Sequence, residues 1–431
     1  MICNYTFDDT GKTVVTPQPI FYDSFQLAGD DFLFLLIDEI IIKGAGTGIE
    51  EEGCSGVIKS HLLSRGLTES DASAKINNFF GTNANALGHR RRQLRKKFNA
   101  EVSIPIAIKY LENAIAEGGQ RVWEGQFISF KDLFPDRKPN QEVLDDFRRN
   151  FDFSFEELQF KMSTEKVNRL LVARFNELTR QICAIFDHYG CDLVLLSGKL
   201  TSIKKFVDLI TERYPVSPDR IISLNEYRVG RWYPFSDGNG YFADKKSIVS
   251  VGAMVALMGG RMDRIANFRI NTELLKRVRS TTNYIGAYNA TTKTIGAEFT
   301  PITHNCTLKV AGFPVNLGAT LIGHNNYPTR VIYQIELNTE MFKFEQIRSA
   351  PNLANDEAAL TDALEMKKRN LNNRMPFEIV LSRDYNTSKE QLNIQQITDK
   401  EGNQLGNNTL LLKVKTLPSE YYYWLDNGEF I

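Results

Sequence analysis

Apolar residues occur along this chain in two patterns, short continuous runs and longer runs with helical spacing. Leu193–Leu196 is continuously apolar, which predicts a buried parallel strand with helices on both of its faces. Ser197 and Gly198 end this run, and apolar residues then recur three and four positions apart over residues 203–210. The pattern predicts a strand, a tight turn and a helix in that order.

Similar patterns predict the neighbouring elements. Ser163–Tyr189 carries one apolar stripe and is predicted to be a long helix, and Arg220–Leu224 is predicted to be a second short buried strand. Ser247–Met258 is predicted to be a helix whose small residues allow close packing. Taken by themselves, these elements also fit an ordinary strand-helix unit in which glycine only permits close packing.

The apolar stretch Leu33–Ile42 follows Gly29, Asp30 and Asp31. A carboxylate at a helix start accepts hydrogen bonds from unpaired backbone N–H groups and suits the helix dipole. The residues therefore predict that Asp30 and Asp31 cap a helix.

The last third of the chain is dominated by strand-like runs with turn residues between them. One charged helix is predicted at Asn355–Asn370, and 399–405 is predicted to be a hairpin turn. We predict a first domain at 1–267 with a helical insertion at about 54–187, and a β-rich, sandwich-like domain at 268–431. The predicted strands are Cys306–Val310, Val315–Ile322, Arg330–Leu337, Phe377–Ser382, Leu392–Thr398 and Thr409–Thr416.

Three segments resemble the actin and DnaK-type chaperone superfamily. LLSGKLTSIKKF, followed by a strand and SIVSVGAMVAL, is similar to its adenosine-binding end; VARFNELTRQI is similar to the preceding helix, and LAGDDF to a segment after its second phosphate loop. The resemblance implies an α/β actin-like (ribonuclease H-like) ATPase lobe. It also implies that Gly29, Asp30, Ser197, Gly198 and Lys199 bind nucleotide. Ser197 stands where the superfamily has the first of two glycines.

Closer comparison identifies a resemblance to the C-terminal part of the SrfB virulence-factor family. It is carried by the LAGDD and LSG segments, by RWYPF at 231–235 and NYIG at 283–286, and by the DKKS and VGAM helix. This resemblance implies protein partners similar to SrfA and SrfC. It also implies that both phosphate loops precede Met1, so that ATP and Mg²⁺ belong to a longer protein and this chain has no turnover by itself.

The basic run HRRRQLRKK at 89–97 leaves three interpretations open. It is the solvated face of a helix, or it resembles the DnaK-type helix that clasps ribose and adenine, which would make Arg91, Arg92 or Arg95 nucleotide contacts, or it binds nucleic acid. No aromatic residue interleaves the charges, which disfavours stacking on bases.

Composition narrows the function further. The 431 residues include 52 acidic and 52 basic side chains, so no global field attracts nucleic acid or anionic lipid. The five cysteines and five histidines have no metal-binding or disulfide spacing, and no apolar run is long enough to span a bilayer. HExxH, GxSxG and P-loop motifs are absent. Composition favours the cytoplasm, and the resemblance implies a nucleotide-controlled switch for partner proteins. The alternative is a non-catalytic scaffold with a degenerate actin-like fold, and a sugar-kinase relative is a weaker third possibility.

Overall fold

The computed structural model describes residues 1–9, 11–23, 27, 29–43, 53–81, 88–116, 121–244, 247–277, 283–302, 305–323, 327–384, 391–415 and 424–427. The α-helices are α1 Gly29–Leu35, α2 Cys54–Ser64, α3 Glu69–Phe80, α4 His89–Phe98, α5 Ile104–Ile115, α6 Phe130–Leu133, α7 Gln141–Phe151, α8 Thr164–His188, α9 Lys204–Thr211, α10 Ser247–Gly259, α11 Thr339–Ser349, α12 Glu357–Asn372 and α13 Trp424–Asn427. The strands are β1 Ile2–Asp8, β2 Thr13–Phe21, β3 Phe127–Ser129, β4 Gln159–Lys161, β5 Val194–Leu196, β6 Ile221–Ser223, β7 Phe268–Ile270, β8 Tyr284–Asn289, β9 Thr294–Pro301, β10 Asn305–Val310, β11 Val315–Thr320, β12 Arg330–Leu337, β13 Phe377–Asp384, β14 Gln391–Thr398, β15 Gln404–Leu405 and β16 Leu410–Val414.

The chain forms two compact units. The helical unit consists of Ala28–Gly252 with Ser419–Ile431, and the β-rich unit consists of Met1–Leu27 with Ala253–Pro418. This division differs from the predicted boundary at residue 267. The N-terminal hairpin belongs to the β-rich unit because Thr13–Val15 of β2 pair in parallel with Phe268–Ile270 of β7. A pairing between segments more than 250 residues apart cannot be predicted from local sequence patterns.

Aromatic rings form the core of the helical unit between residues 79 and 155. Phe147 of α7 is fully buried, and its ring lies 5.6 Å from Phe79, 5.9 Å from Phe98, 4.9 Å from Phe151 and 5.7 Å from Phe155 between ring centroids. Aromatic pairs at these separations add to the stabilisation from burying their area. The segment predicted as a helical insertion is indeed mainly helical, from α2 to α8.

The predicted long helix is confirmed as α8, Thr164–His188. It packs between two other helices through rings: Phe175 lies 6.0 Å from Phe32 of α1 and 5.6 Å from Phe206 of α9. The first turn of α8 is held by Glu124, which accepts hydrogen bonds from the Thr164 backbone N–H at 3.0 Å and hydroxyl at 2.6 Å. Burial opposes ionisation of Glu124, but these donors and Asn113 outweigh it and lower the pKa of the carboxyl.

Two antiparallel sheets form the core of the β-rich unit. One has the strand order β10-β13-β14-β15 and the other β16-β12-β11-β8-β9. Side chains of both sheets, among them Leu317 and Ile335 from one and Ile379 and Leu381 from the other, belong to a single buried cluster. The six strands predicted from strand-like runs are present within a few residues of their expected ends. Both sheets contribute side chains to one shared core.

Two helices pack on this sandwich core where the sequence predicted one. The predicted charged helix is present as α12, but α11 was missed. Phe342 is the one buried residue of α11, so the sequence of this helix has no apolar stripe from which it could be predicted. The start of α11 could have been predicted from Asn338, since asparagine is a preferred N-cap residue. In the structure its side chain accepts a hydrogen bond from the Met341 backbone N–H at 3.1 Å.

The predicted helix α10 is present, but its small residues are not closely packed. The small residues Ser250, Gly252 and Ala253 are exposed, so the close packing predicted from them is not observed. Val249 and Met254 are exposed as well. In the part of the chain that the structure describes, no helix combines the length and apolar character needed to cross a lipid bilayer.

The turn between β14 and β15 is built on a buried carboxylate. Asp399 accepts hydrogen bonds from Arg374 Nε at 2.8 Å and from the backbone N–H groups of Asn403 at 2.8 Å and Glu401 at 3.0 Å. Burial by itself would raise the pKa of Asp399, but these donors outweigh it and lower the pKa to about 2. The negative charge therefore holds the predicted hairpin turn together.

Acid should weaken this turn over a defined pH range. The folded-state pKa of Asp399 lies below the value of about 3.9 for an unfolded aspartate, so its stabilisation is complete above pH 4 and is lost as the pH falls toward about 2. The melting temperature of the β-rich unit, measured by calorimetry between pH 5 and 2, should fall less steeply in Asp399→Asn than in the wild type. Asp362→Asn, on an exposed position of α12, is the control and should follow the wild-type curve; equal slopes for all three proteins would contradict the assignment.

Candidate functional site at the carboxyl ends of two parallel strands

The candidate site begins where β5 ends. Gly198 has φ +106°, a backbone conformation that L-residues rarely adopt, and it turns the chain away from the strand. The Thr201 hydroxyl donates a hydrogen bond to the Gly198 carbonyl at 2.8 Å and closes the turn. A single 3₁₀ turn, Leu200–Ser202, leads into α9 at Lys204. The predicted order of strand, tight turn and helix is confirmed.

A second strand places polar groups beside this turn. β6 pairs with β5 in parallel, and the Leu224 backbone N–H donates to the Leu196 carbonyl at 2.9 Å, so both strands end at the same edge. The Asn225 side chain, which follows β6, donates to the Thr201 hydroxyl at 2.6 Å. In open α/β sheets, ligands bind outside the carboxyl ends of parallel strands.

The turn is open to solvent. Ser197, Gly198 and Lys199 are all exposed, and a methyl group added at Gly198 would meet no atom within 4 Å. Backbone atoms can therefore approach a flat ring closely at this position. Their support is rigid, because Val194 and Leu196 are buried against Ile210 of α9 and Cys183 of α8.

One expectation about β5 is wrong. Leu193, just before the strand, and Leu195 within it are 52% and 58% exposed, so only one face of β5 is covered by helices within the described residues. A continuous apolar run cannot tell whether its second face is covered, because apolar residues would occupy both faces in either case.

Gly29 and Asp30 lie at the beginning of α1. The described part of the helix starts at Gly29, with Asp30 and Asp31 in its first turn. Their charges still suit the helix dipole. A methyl group added at Gly29 would meet no atom within 4 Å. α1 and α9, the helix that follows the β5 turn, both pack against α8. The ring of Phe175 on α8 contacts Phe32 of α1 on one side and Phe206 of α9 on the other.

Arg95 on α4 is a structural residue, which corrects its prediction as a nucleotide contact. Its side chain is 5% exposed, and its two terminal nitrogens donate to the carbonyls of Gly81 at 2.8 Å and Asn78 at 2.9 Å. These bonds hold α4 against the end of α3. Arg92 is half-buried on the same helix. Both terminal nitrogens of Arg95 are thus engaged at the end of α3.

Acidic side chains of α7 pair with several cations of α4. Lys97 lies 2.9 Å and Arg90 3.6 Å from Glu142, while Arg91 donates to Asn150 at 2.6 Å and lies 3.9 Å from Asp146. Part of the basic run is thus packed against α7 and paired with its acidic side chains, while Arg90 and Lys97 remain exposed to solvent. Sequence spacing could not show this, because α7 lies some 50 residues further along the chain.

Comparison with known proteins identifies the family. The profile described as Virulence factor SrfB matches residues 1–431. The chain belongs to the SrfB family. No curated protein and no solved structure matches it significantly.

The RWYPF segment of this SrfB-family chain lies in a compact loop between β6 and α10. Tyr233 is buried, and its hydroxyl hydrogen-bonds the Ser247 hydroxyl at 2.7 Å at the start of α10. Trp232 is 65% exposed and lies edge-on to Tyr233 with 5.7 Å between ring centroids. The segment therefore combines a core anchor with a protruding indole.

Sequence reasoning missed Thr201 and Asn225, the two polar side chains that link the ends of β5 and β6. Both residues could have been found from their positions in the sequence. Asn225 directly follows the predicted strand Arg220–Leu224, and Thr201 lies three residues after the turn glycine. Across the described ranges, no three His, Cys, Asp or Glu side chains are gathered in a way that could hold a metal ion.

Proposed function

We propose that this SrfB-family protein forms the adenosine side of an actin-like nucleotide cleft and acts as a nucleotide-controlled switch for partner proteins. The observation that carries the proposal is the exposed turn Ser197–Lys199 at the carboxyl ends of β5 and β6, with Gly198 in a left-handed conformation. Gly29 and Asp30 on α1, which α8 supports together with α9, are the second element.

The residues at the turn fit a nucleoside. The contacts they offer are backbone groups, the uncharged hydroxyl of Ser197 and the flexible cation Lys199. A purine can lie flat against backbone that carries no side chain, and hydroxyl groups suit hydrogen bonding to a ribose. ATP would supply the phosphates, with Mg²⁺ bound to them, and the residues described at this turn are assigned to the adenosine part only.

The switch would work through the elements that the turn connects. A ligand that binds one arrangement of β5, α9 and α1 better than another shifts the population toward that arrangement, by no more than its difference in affinity. α9 and α1 both contact Phe175 of α8, so α8 is the element through which occupancy of the turn would reach the rest of the helical unit.

Calorimetric titration with adenosine, ADP and Mg²⁺-ATP tests the proposal. We expect saturable adenosine binding that cytidine does not reproduce, and a loss of about tenfold in affinity in Gly198→Ala, because alanine at φ +106° would reshape the turn. Gly66→Ala is the matched control: Gly66 has φ +91° and equally open surroundings, but it lies between α2 and α3. Its adenosine affinity should equal that of the wild type.

A scaffold function is the second candidate, and a specific observation favours it. Trp232 and Phe235, in the loop before α10, are 65% and 51% exposed, and exposed aromatic residues are frequent anchors of protein interfaces. Absence of saturable binding of adenosine and ATP at millimolar concentration would reject the nucleotide switch and leave the scaffold.

A further inference from the structure

The outer edge of β1 is a second feature with a functional implication. β1 is the first strand of a three-stranded sheet with the order β1-β2-β7, and β2 is its hydrogen-bonded neighbour among the described residues. An edge strand presents backbone N–H and C=O groups that can pair with a further strand. β1 is seven residues long, with the sequence ICNYTFD.

Two prolines of β2 determine which backbone groups of β1 face outward. Tyr5 lies opposite Pro17, and Cys3 lies opposite Pro19. A hydrogen-bonded antiparallel pair needs an N–H from both residues, and proline has none. These two pairs are therefore non-hydrogen-bonded. It follows that the N–H and C=O groups of Cys3, Tyr5 and Phe7 point away from β2, toward the outer edge.

The same prolines protect the other edge of the hairpin. β2 pairs with β7 through Thr13–Val15, and beyond this point Pro17 and Pro19 lack outward donors. Proline at an edge is one of the devices that stop unwanted strand pairing, as are lysine and very short strands. β1 contains neither proline nor lysine. The prolines thus close one edge of the hairpin to further strands, and among the described residues the other edge is open.

Apolar side chains accompany the open edge. Tyr5 is 55% exposed and Phe7 is 66% exposed, and both lie on the face of β1 that also carries Cys3. Covering large apolar side chains on one face of an edge strand with a paired strand removes them from water and is favourable. Backbone and side chains of β1 thus favour the same occupant, an extended strand.

We propose that this occupant is β1 of a second copy, paired antiparallel to form a symmetric dimer. The charge pattern favours antiparallel over parallel pairing: Asp8 ends the strand and Asp9 follows it, whereas Met1–Cys3 at the other end carry no charged side chain. Antiparallel pairing keeps the two acidic ends apart, and parallel pairing would place them side by side. A two-fold axis also makes the two surfaces identical and self-complementary.

The outward-pointing N–H and C=O groups of β1 determine the register in which the two copies pair. Only odd-numbered residues of β1 point outward, so they must pair with odd-numbered residues of the second copy. The register that overlaps the whole strand places Tyr5 opposite Tyr5 and Cys3 opposite Phe7, each a pair with two backbone hydrogen bonds. It stacks the exposed aromatic residues of the two copies on one face.

Sedimentation equilibrium over about 1–100 µM tests the dimer. An interface limited to one strand edge belongs to the small class, so we expect a dissociation constant on the order of 10 µM. Tyr5→Pro should raise that constant at least about thirtyfold, since it removes an outward donor while leaving the bonds to β2 in place. Far-UV circular dichroism checks that the variant folds. A wild-type protein that is monomeric at 100 µM, or a folded Tyr5→Pro variant that dimerises as well as the wild type, would overturn the proposal.

Cross-linking tests the register independently of the proline variant. In a Cys3→Ser background, Tyr5→Cys places two thiols opposite each other across the two-fold axis, within the Cα separation that a disulfide allows. Mild oxidation should then give a covalent dimer on non-reducing gels. Thr6→Cys in the same background is the matched control, because Thr6 faces the other side of the strand and lies opposite Asn4 of the second copy. Equal cross-linking of both variants, or of neither, would reject the register and with it the proposed pairing.

Discussion

Replacing Phe147 by alanine is expected to lower the free energy of unfolding of the helical unit by about 3–5 kcal/mol. Phe147 is fully buried and contacts four other phenylalanine rings, so the cavity left behind cannot close without moving α3, α4 and α7. The melting temperature should fall by roughly 10 °C. All three tryptophans, Trp123, Trp232 and Trp424, lie in the helical unit, so tryptophan fluorescence during chemical denaturation reports this unit directly.

Phe127→Ala is the matched control for that experiment. Phe127 belongs to the same unit but is half exposed, so the same change of side chain should shift the unfolding midpoint by less than a fifth as much. A Phe147→Ala protein with the wild-type midpoint would mean that the ring cluster does not form the core of the helical unit.

The second large effect is expected in the β-rich unit, from Phe377→Ala. Phe377 of β13 is fully buried between the two sheets, with its ring 5.9 Å from that of Phe313. We expect a loss of about 3–5 kcal/mol, again from a cavity in a close-packed core. Because the β-rich unit contains no tryptophan, calorimetry should show a transition that moves to lower temperature while the tryptophan-detected midpoint moves much less.

Phe344→Ala provides the control for the β-rich unit. Phe344 lies on α11 and is exposed, so both transitions should stay at their wild-type positions. If Phe377→Ala shifted the tryptophan-detected midpoint as strongly as the calorimetric transition, the two units would be unfolding as one, and the division of the chain into two compact units would be contradicted.

Local patterns in the sequence predicted most elements around the candidate site. The apolar stripe of α8 and the break at Ser197 and Gly198 place the strand, turn and helix within a few residues of their observed limits. These predictions succeed because helical and strand spacing and the conformational freedom of glycine are properties of neighbouring residues. The coverage of β5 was predicted wrongly for the same reason, since whether Leu195 is buried depends on what packs against it.

The roles of single side chains at the site were less predictable. Arg95 has the charge expected of a nucleotide contact, yet it binds two backbone carbonyls at the end of α3. Thr201 and Asn225 are ordinary polar residues in the sequence, and only the parallel pairing of β5 with β6 makes them neighbours. The sequence could supply the residue types but not their partners.

The sequence by itself determined the type and order of the elements around the candidate site and of six strands in the β-rich unit, the turn at Gly198 and, through RWYPF and NYIG, the resemblance to the SrfB family. Tertiary structure decided that Met1–Leu27 joins the β-rich unit, that three cations of α4 pair with α7, and that the two prolines of β2 lie opposite β1. The physical reason is the range of the interactions. Backbone preferences act between neighbours, whereas burial, ion pairing and strand register are set by residues that are distant in the chain and close only after folding.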